Sequence, residues 1–173
     1  MASSAPYNLK AWIEENRHLL RPPVGNKMVW QDHEFMVMVV GGPNRRKDFH
    51  IEEGEEFFYQ VEGDITVRVI EDGKARDVSI REGEMFLLPA RIPHSPQRPE
   101  DTVGLVIERQ RKPGELDHLR WYCEGCGEVL HDAAFELEDL ATQLKPIIEN
   151  FYADEALRTC DGCGDVMQPP PAV

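Results

Sequence analysis

No apolar run in this 173-residue chain approaches the roughly 20 residues that a membrane-spanning helix requires. The opening stretch, MASSAPYNLKAWIEENRHLL, also lacks an apolar core flanked by basic residues, so it does not read as a secretory leader and a cytoplasmic protein is expected. Basic residues are scarce beside acidic ones, 19 against 32, giving a formal net charge of −13. Nucleic acids and anionic membranes both attract basic surfaces, so neither is expected as a partner. No internal repeat is found. Cysteine is confined to the last third, as two matched pairs: CEGCG at 123–127 and CDGCG at 160–164. Without a secretory signal, paired C-x-x-C reads as metal ligation before disulfides.

What is present is the composition of an ordinary globular protein, 41% hydrophobic and 29% charged. This length suits one well-buried domain with an appendage. Residues 8–21 read as a short amphipathic helix capped by Asn8 and stopped by Pro22 and Pro23. From 27 to about 110 the pattern turns to short β runs at 28–30, 34–40, 55–61, 65–70, 75–80, 84–89 and 102–110. Turn signals separate them, with no helix between, which predicts an all-β-dominated jelly-roll barrel. A helical stretch is expected from about Phe135 to Leu157, with Pro146 as a break or kink. The division expected is therefore a β-barrel domain with its N-terminal helix over 1–120 and a cysteine-bearing helical segment over 121–173.

The segment DFHIEEGEEFFYQVEG (48–63) crowds Glu52, Glu53, Glu55 and Glu56 around His50. A second histidine, His94, follows the run ending at Pro89. Two histidines and one carboxylate on a β-barrel, with coordination positions left open, match the facial triad of non-haem Fe(II) oxygenases. Glu55 and Glu56 fall on opposite faces of their strand, so only one of the two can share the site with His50. The other three acids are expected in the turn and facing solvent. Arg46 lies four residues before His50 and Arg98 four after His94. At about 13 Å along an extended chain these positions share a face with the histidines. Two guanidiniums converging beside a metal would hold a substrate carboxylate. Read singly, each is a surface salt-bridging residue. Glu108 ends the apolar run VGLVIE, either as a strand-end charge or as an acceptor for a substrate amine or a proton. The four cysteines, Cys123, Cys126, Cys160 and Cys163, describe a closed tetrahedral S₄ site for iron or zinc. His18, His33, His118 and His131 have no ligand-spaced partners and are assigned to the surface. The stripe from Leu137 to Phe151 is read as packing rather than a cofactor box, with Leu140 or Leu144 as a candidate contact for a bound substrate.

The spacing from Glu56 to Gly63, and from Gly83 through Pro89 to His94, resembles the two motifs of the cupin superfamily. Two departures stand out: Glu52 occupies the place of the usual second histidine, and Arg91 that of a glycine. They imply three protein ligands rather than four. More closely, the chain resembles the short bacterial form of the 3-hydroxyanthranilate 3,4-dioxygenase family. PPVGN (22–26), VWQD (29–32), VVGGPN (39–44), EEFFYQ (55–60), FLLP (86–89), HSPQRPE (94–100), VIERQR (106–111), WYC (121–123) and both cysteine knuckles carry the resemblance. It implies Fe(II) held by His50, Glu56 and His94, a substrate carboxylate gripped by Arg46 and Arg98, and Glu108 facing the amino and hydroxyl groups. It further implies a rubredoxin-like second metal on the cysteines, a homodimer, and O₂-dependent ring opening of 3-hydroxyanthranilate on the kynurenine route to quinolinate and NAD. A non-enzymatic carboxylate-binding cupin, or a cupin enzyme for another substrate, is the alternative.

Overall fold

Short segments of alternating apolar residues fold into two antiparallel sheets in a computed structural model that describes residues 5–21, 25–30 and 33–171. One sheet has the order β1 (Asn26–Trp30), β2 (Phe35–Gly41), β9 (Val103–Arg109), β4 (Glu56–Glu62), β7 (Met85–Leu88). The other runs β11 (Val129–Phe135), β10 (Asp117–Tyr122), β3 (Asp48–Ile51), β8 (His94–Gln97), β5 (Ile65–Glu71), β6 (Lys74–Ile80). Strands distant in sequence lie side by side, β2 against β9 and β3 between β10 and β8, as in a jelly roll. The fold is the expected β-dominated jelly-roll type.

The inward phase of each strand supplies the core. Along β5, Ile65, Val67 and Val69 are buried while Arg68 between them is exposed. Met38, Phe58, Ile80, Leu88 and Val106 complete that cluster. Burying each such side chain contributes about 1.5–3 kcal/mol. The N-terminal helix α1 (Leu9–Asn16) starts where the Asn8 side chain accepts the Ala11 N–H at 3.0 Å. It places Ile13, with Leu20, on Val39 and Val103. It is shorter than expected, because the chain tightens into a 3-10 turn at Arg17–Leu19. Pro22 and Pro23, its expected stop, lie outside the described residues, as do Val24, Gln31 and Asp32 of the quoted motifs.

Four strands were not expected: β3, β8, β10 and β11. The first two are only four residues long and carry His50 and His94. In β10, DHLRWY, the buried phase is Asp117, Leu119 and Trp121, so a buried aspartate breaks the apolar alternation. The expected helix is displaced to α2 (Leu140–Ala153), with Pro146 inside it, and α3 (Glu155–Arg158), because the chain up to Phe135 pairs with β10. The boundary expected at 120 falls inside β10, whose Leu119 pairs with His50. Phe151 of α2 stacks on Trp121 at 4.2 Å, with the His131 ring 6.0 Å from Phe151. His131 is thus half-buried rather than at the surface, and His118 bonds Asp132 at 2.9 Å; His18 and His33 are exposed.

Candidate active site

Strand register brings the site together. His50 on β3 and His94 on β8 are direct cross-strand partners, with ring centres 5.3 Å apart. On the other sheet Glu56 of β4 and Glu108 of β9 are also direct partners. All four are buried, and ligand atoms of His50, Glu56 and His94 lie within 4.8 Å of one another. Glu55 is exposed, as the alternation of β4 requires.

Hydrogen bonds fix both rings. His94 Nδ1 donates to the Ile92 carbonyl at 3.0 Å, which turns Nε2 toward Glu56 Oε2 at 2.6 Å. His50 Nε2 donates to Asp117 Oδ2 at 2.7 Å, leaving Nδ1 as its basic nitrogen. Burial holds the His50 pKa below the ordinary value, outweighing the pull of Asp117. Burial alone would lower His94 too, but the charge and hydrogen bond of Glu56 raise it. A ring nitrogen pressed on a carboxylate oxygen, beside two carboxylates paired across strands, calls for a cation in their midst. The donors are imidazole and carboxylate with vacant positions to spare, so the residues fit a divalent transition metal.

Glu52 does not face solvent as expected. It keeps the inward phase of His50 two residues earlier, is 3% exposed, and pairs with Arg111 Nη1 at 2.7 Å. Burial, then the nearby Glu108 charge, pushes its carboxyl up to about 10. Its place at the second-histidine position of the cupin motif was the signal that could have found it. Of the other acids, Glu53 pairs at 2.7 Å with Arg91, which takes the left-handed φ of +65° where the motif has glycine. Sequence reasoning also passed over Asp117 and Arg111, whose fork binds both Asp117 oxygens at 2.7 Å. Burial opposes ionisation of Asp117, but bonds from Arg111 and His50 bring it down to about 2.

Arg46, Arg98 and Glu108 line one cavity of about 80 Å³ with His50, Glu56 and His94; Phe58, Val106 and Leu144 give it apolar walls. The side chain of Leu140, the other expected ring contact, lies outside the described residues. Arg98 is 3% exposed, yet among the described residues its Nε has no hydrogen-bond partner and Nη1 reaches only Gln60 Oε1 at 3.4 Å. Burial lowers its pKa to about 10. Gly104 makes room for it: a Cβ there would stand 2.8 Å from Arg98 Nη1. Arg46, by contrast, is already paired with Asp48. Glu108 is pushed up to about 7 by burial and by Glu56, against the pull of Arg111. A wider concavity of about 650 Å³ on the outer side of β5 and β6 holds none of the His/Glu cluster.

The cysteines form two knuckles of one design. The Cys123 N–H donates to the Glu128 carbonyl and the Cys160 N–H to the Asp165 carbonyl, at 2.7 and 2.8 Å. Gly127 and Gly164 take φ of +80° and +77°, which a side chain would resist. Sulfurs of Cys123 and Cys163, and of Cys126 and Cys160, lie 3.5 Å apart. A tetrahedron with metal–sulfur bonds of about 2.3 Å has edges of about 3.8 Å, so a metal fits. Backbone N–H groups of Cys163 and Gly162 bring the Cys160 thiol down to about 7.

Fold and cluster together define the class, a jelly-roll β-sandwich with a candidate metal centre between its two sheets. The family model for 3-hydroxyanthranilic acid dioxygenase matches residues 1–152, and the chain belongs to that family. Relatives named 3-hydroxyanthranilate 3,4-dioxygenase include one from Xanthomonas campestris pv. campestris, 53% identical over 165 residues, 95% of this chain and 93% of its own. Another, from Ruegeria pomeroyi, is 50% identical over 167 residues, 96% of this chain and 93% of its own. Among solved structures, a cupin-2 domain protein from Shewanella frigidimarina is 15% identical, with a TM-score of 0.45 over 57% of this chain and 92% of its own.

Proposed function

We propose that this chain opens the ring of 3-hydroxyanthranilate with O₂. Both oxygen atoms enter the product, 2-amino-3-carboxymuconate semialdehyde, which closes spontaneously to quinolinate. That product would place the reaction on the kynurenine route to NAD. The names of the half-identical relatives support the substrate. The observation that carries it is Arg98, a buried and under-bonded guanidinium beside the His50–Glu56–His94 cluster. A cation so placed asks for a buried anion, and the substrate carboxylate supplies one.

His50, Glu56 and His94 would hold Fe(II). When bound, the iron supplies the activation of O₂ and the affinity for the amino and hydroxyl groups. Arg98 grips the carboxylate, with Arg46 as a second donor at the cavity wall. Glu108, poised near 7 by burial and by Glu56, accepts the proton of the substrate hydroxyl. Phe58, Val106 and Leu144 flank the ring and keep water from it. The protein's share is orientation and a charge-matched enclosure. The cysteine metal, iron or zinc, would fasten 121–173 as a structural appendage. Reduced thiolates persist in a reducing compartment, which supports a cytoplasmic location. For the homodimer, the outer face of the five-stranded sheet offers Leu87 (53% exposed) and Met85 (69% exposed). They stand in register with Phe57 and Tyr59. A carboxylate-binding cupin without activity is disfavoured, because the relatives carry an enzyme's name.

The test is anaerobic loading with Fe(II), then 3-hydroxyanthranilate and air. Oxygen uptake with a new near-ultraviolet product band is expected. Folded, iron-loaded protein that consumes no oxygen would overturn the proposal.

A further inference from the structure

VIERQR ends in Arg111, a residue for which the reaction as described has no use. It lies outside the cavity wall, yet its side chain is only 6% exposed. We infer that Arg111 is the positioning residue that ties the proton acceptor of the site to its histidine ligand. This rests on the functional reading given above.

One guanidinium serves three buried carboxylates. Nε and Nη2 bind Asp117 Oδ1 and Oδ2, both at 2.7 Å. Nη2 also lies 2.9 Å from Glu108 Oε2, and Nη1 lies 2.7 Å from Glu52 Oε2 and 3.1 Å from the Arg109 carbonyl. Two of these contacts lead into the site. Asp117 Oδ2, held by Arg111, is the same atom that accepts His50 Nε2–H. The angle of the His50 ring, and which of its nitrogens is free, therefore depend on where Arg111 places that carboxylate. Glu108 lines the cavity and is held by Arg111 through one oxygen, which leaves the other to be aimed at substrate. Glu52 completes the fork on the third side.

A compensating charge alone does not account for this. Lysine would carry the same charge, but as a point with no planar fork it could not hold Asp117 bidentately while touching Glu108 and Glu52. A charge-balancing role predicts that lysine substitutes well. A positioning role predicts that it does not. Arg111→Lys therefore separates the two.

The experiment uses the full chain with Zn²⁺ in the cysteine site and Fe(II) in the barrel site, and nitric oxide as a probe of the barrel iron. For Arg111→Lys, the electron paramagnetic resonance signal of the iron–nitrosyl should change its rhombicity against the parent. The kcat should fall at least tenfold while KM moves less than threefold. On a Glu108→Gln background the same substitution should cost less in kcat than it does in the parent, because one of the two groups it aims is gone while the Asp117–His50 contact remains. A variant with a parent-like nitrosyl signal and kcat within threefold of the parent would overturn the inference. So would a kcat loss of equal size on both backgrounds. If Arg111→Lys does not fold, Asp117→Asn keeps the side-chain volume and decides by the same signal and kcat. A parent that binds no barrel iron would sink the functional reading itself. A parent that binds iron and turns over, with variants that match it, would sink this inference alone.

Discussion

Glu56 and Glu108 face one another as direct partners across β4 and β9, two carboxylates on the buried side of one sheet. Like charges directly opposite destabilise a sheet, and burial sharpens the penalty. The facing sheet answers with its own cross-strand pair, His50 and His94. The site is thus built from two matched strand pairs, one basic and one acidic, across the interior of the sandwich.

Removing either histidine should empty that centre. His50→Ala or His94→Ala should lose barrel iron on gel filtration while the far-ultraviolet circular dichroism stays that of the parent. Substantial turnover with no barrel metal would remove the cluster from the account.

The two arginines should differ. Arg98→Ala should cost ~2–4 kcal/mol in kcat/KM, the scale for losing a buried charged hydrogen bond. Arg46→Ala should cost less, because Arg46 is already paired with Asp48. An analogue lacking the carboxylate should be nearly indifferent to Arg98→Ala. Equal losses for both substrates would make Arg98 structural.

Gly104→Ala tests the same contact from the other side. The added methyl would meet Arg98 Nη1 and Gln60 Oε1, each at 2.8 Å, and must push one of them. KM should rise by roughly tenfold, about 1.4 kcal/mol, with Tm lowered only slightly. Unchanged KM would show that Arg98 has room to spare.

Glu52 gives a pH dependence. Its folded pKa, about 10, lies above the ordinary 4.5, so between those values the folded metal-free protein keeps a proton that the unfolded chain releases. Its contribution therefore falls as pH rises through that window, by at most about 1.36 kcal/mol per pH unit. Glu52→Gln removes the titration, so its Tm advantage over the parent should grow from pH 6 to pH 9 in metal-free protein. An advantage independent of pH would contradict a protonated Glu52.

Cys160→Ala should lower Tm and expose residues beyond about 121 to proteolysis, since a closed S₄ site contributes to folding. Turnover per barrel iron should hold. A fall beyond roughly tenfold, about 1.4 kcal/mol of barrier, would give the knuckle a part in catalysis.

The strands that bury plain apolar alternation were legible, β5 with Ile65, Val67 and Val69 above all. The strands that build the site were not, for a physical reason. In β3 and β10 the inward phase carries His50 and Asp117, so the alternation that marks a strand is interrupted where the chemistry sits. His50, Glu56 and His94 could still be found, because their spacing is local to two motifs. The Arg111–Asp117–His50 chain could not, because it forms only when β10 pairs with β3. Glu52 lay between these cases: its phase with His50 was readable, but a run of four glutamates around a turn looks like a solvated one.

The most direct measurement is the fate of isotopically labelled oxygen. Iron-loaded protein is given 3-hydroxyanthranilate under ¹⁸O₂, and the ring-opened semialdehyde is analysed by mass spectrometry before it cyclises with loss of water. The account predicts two heavy oxygen atoms in each product molecule. Product without a heavy atom in the new carboxyl group, or without one in the aldehyde when it is trapped faster than it exchanges with water, would contradict it.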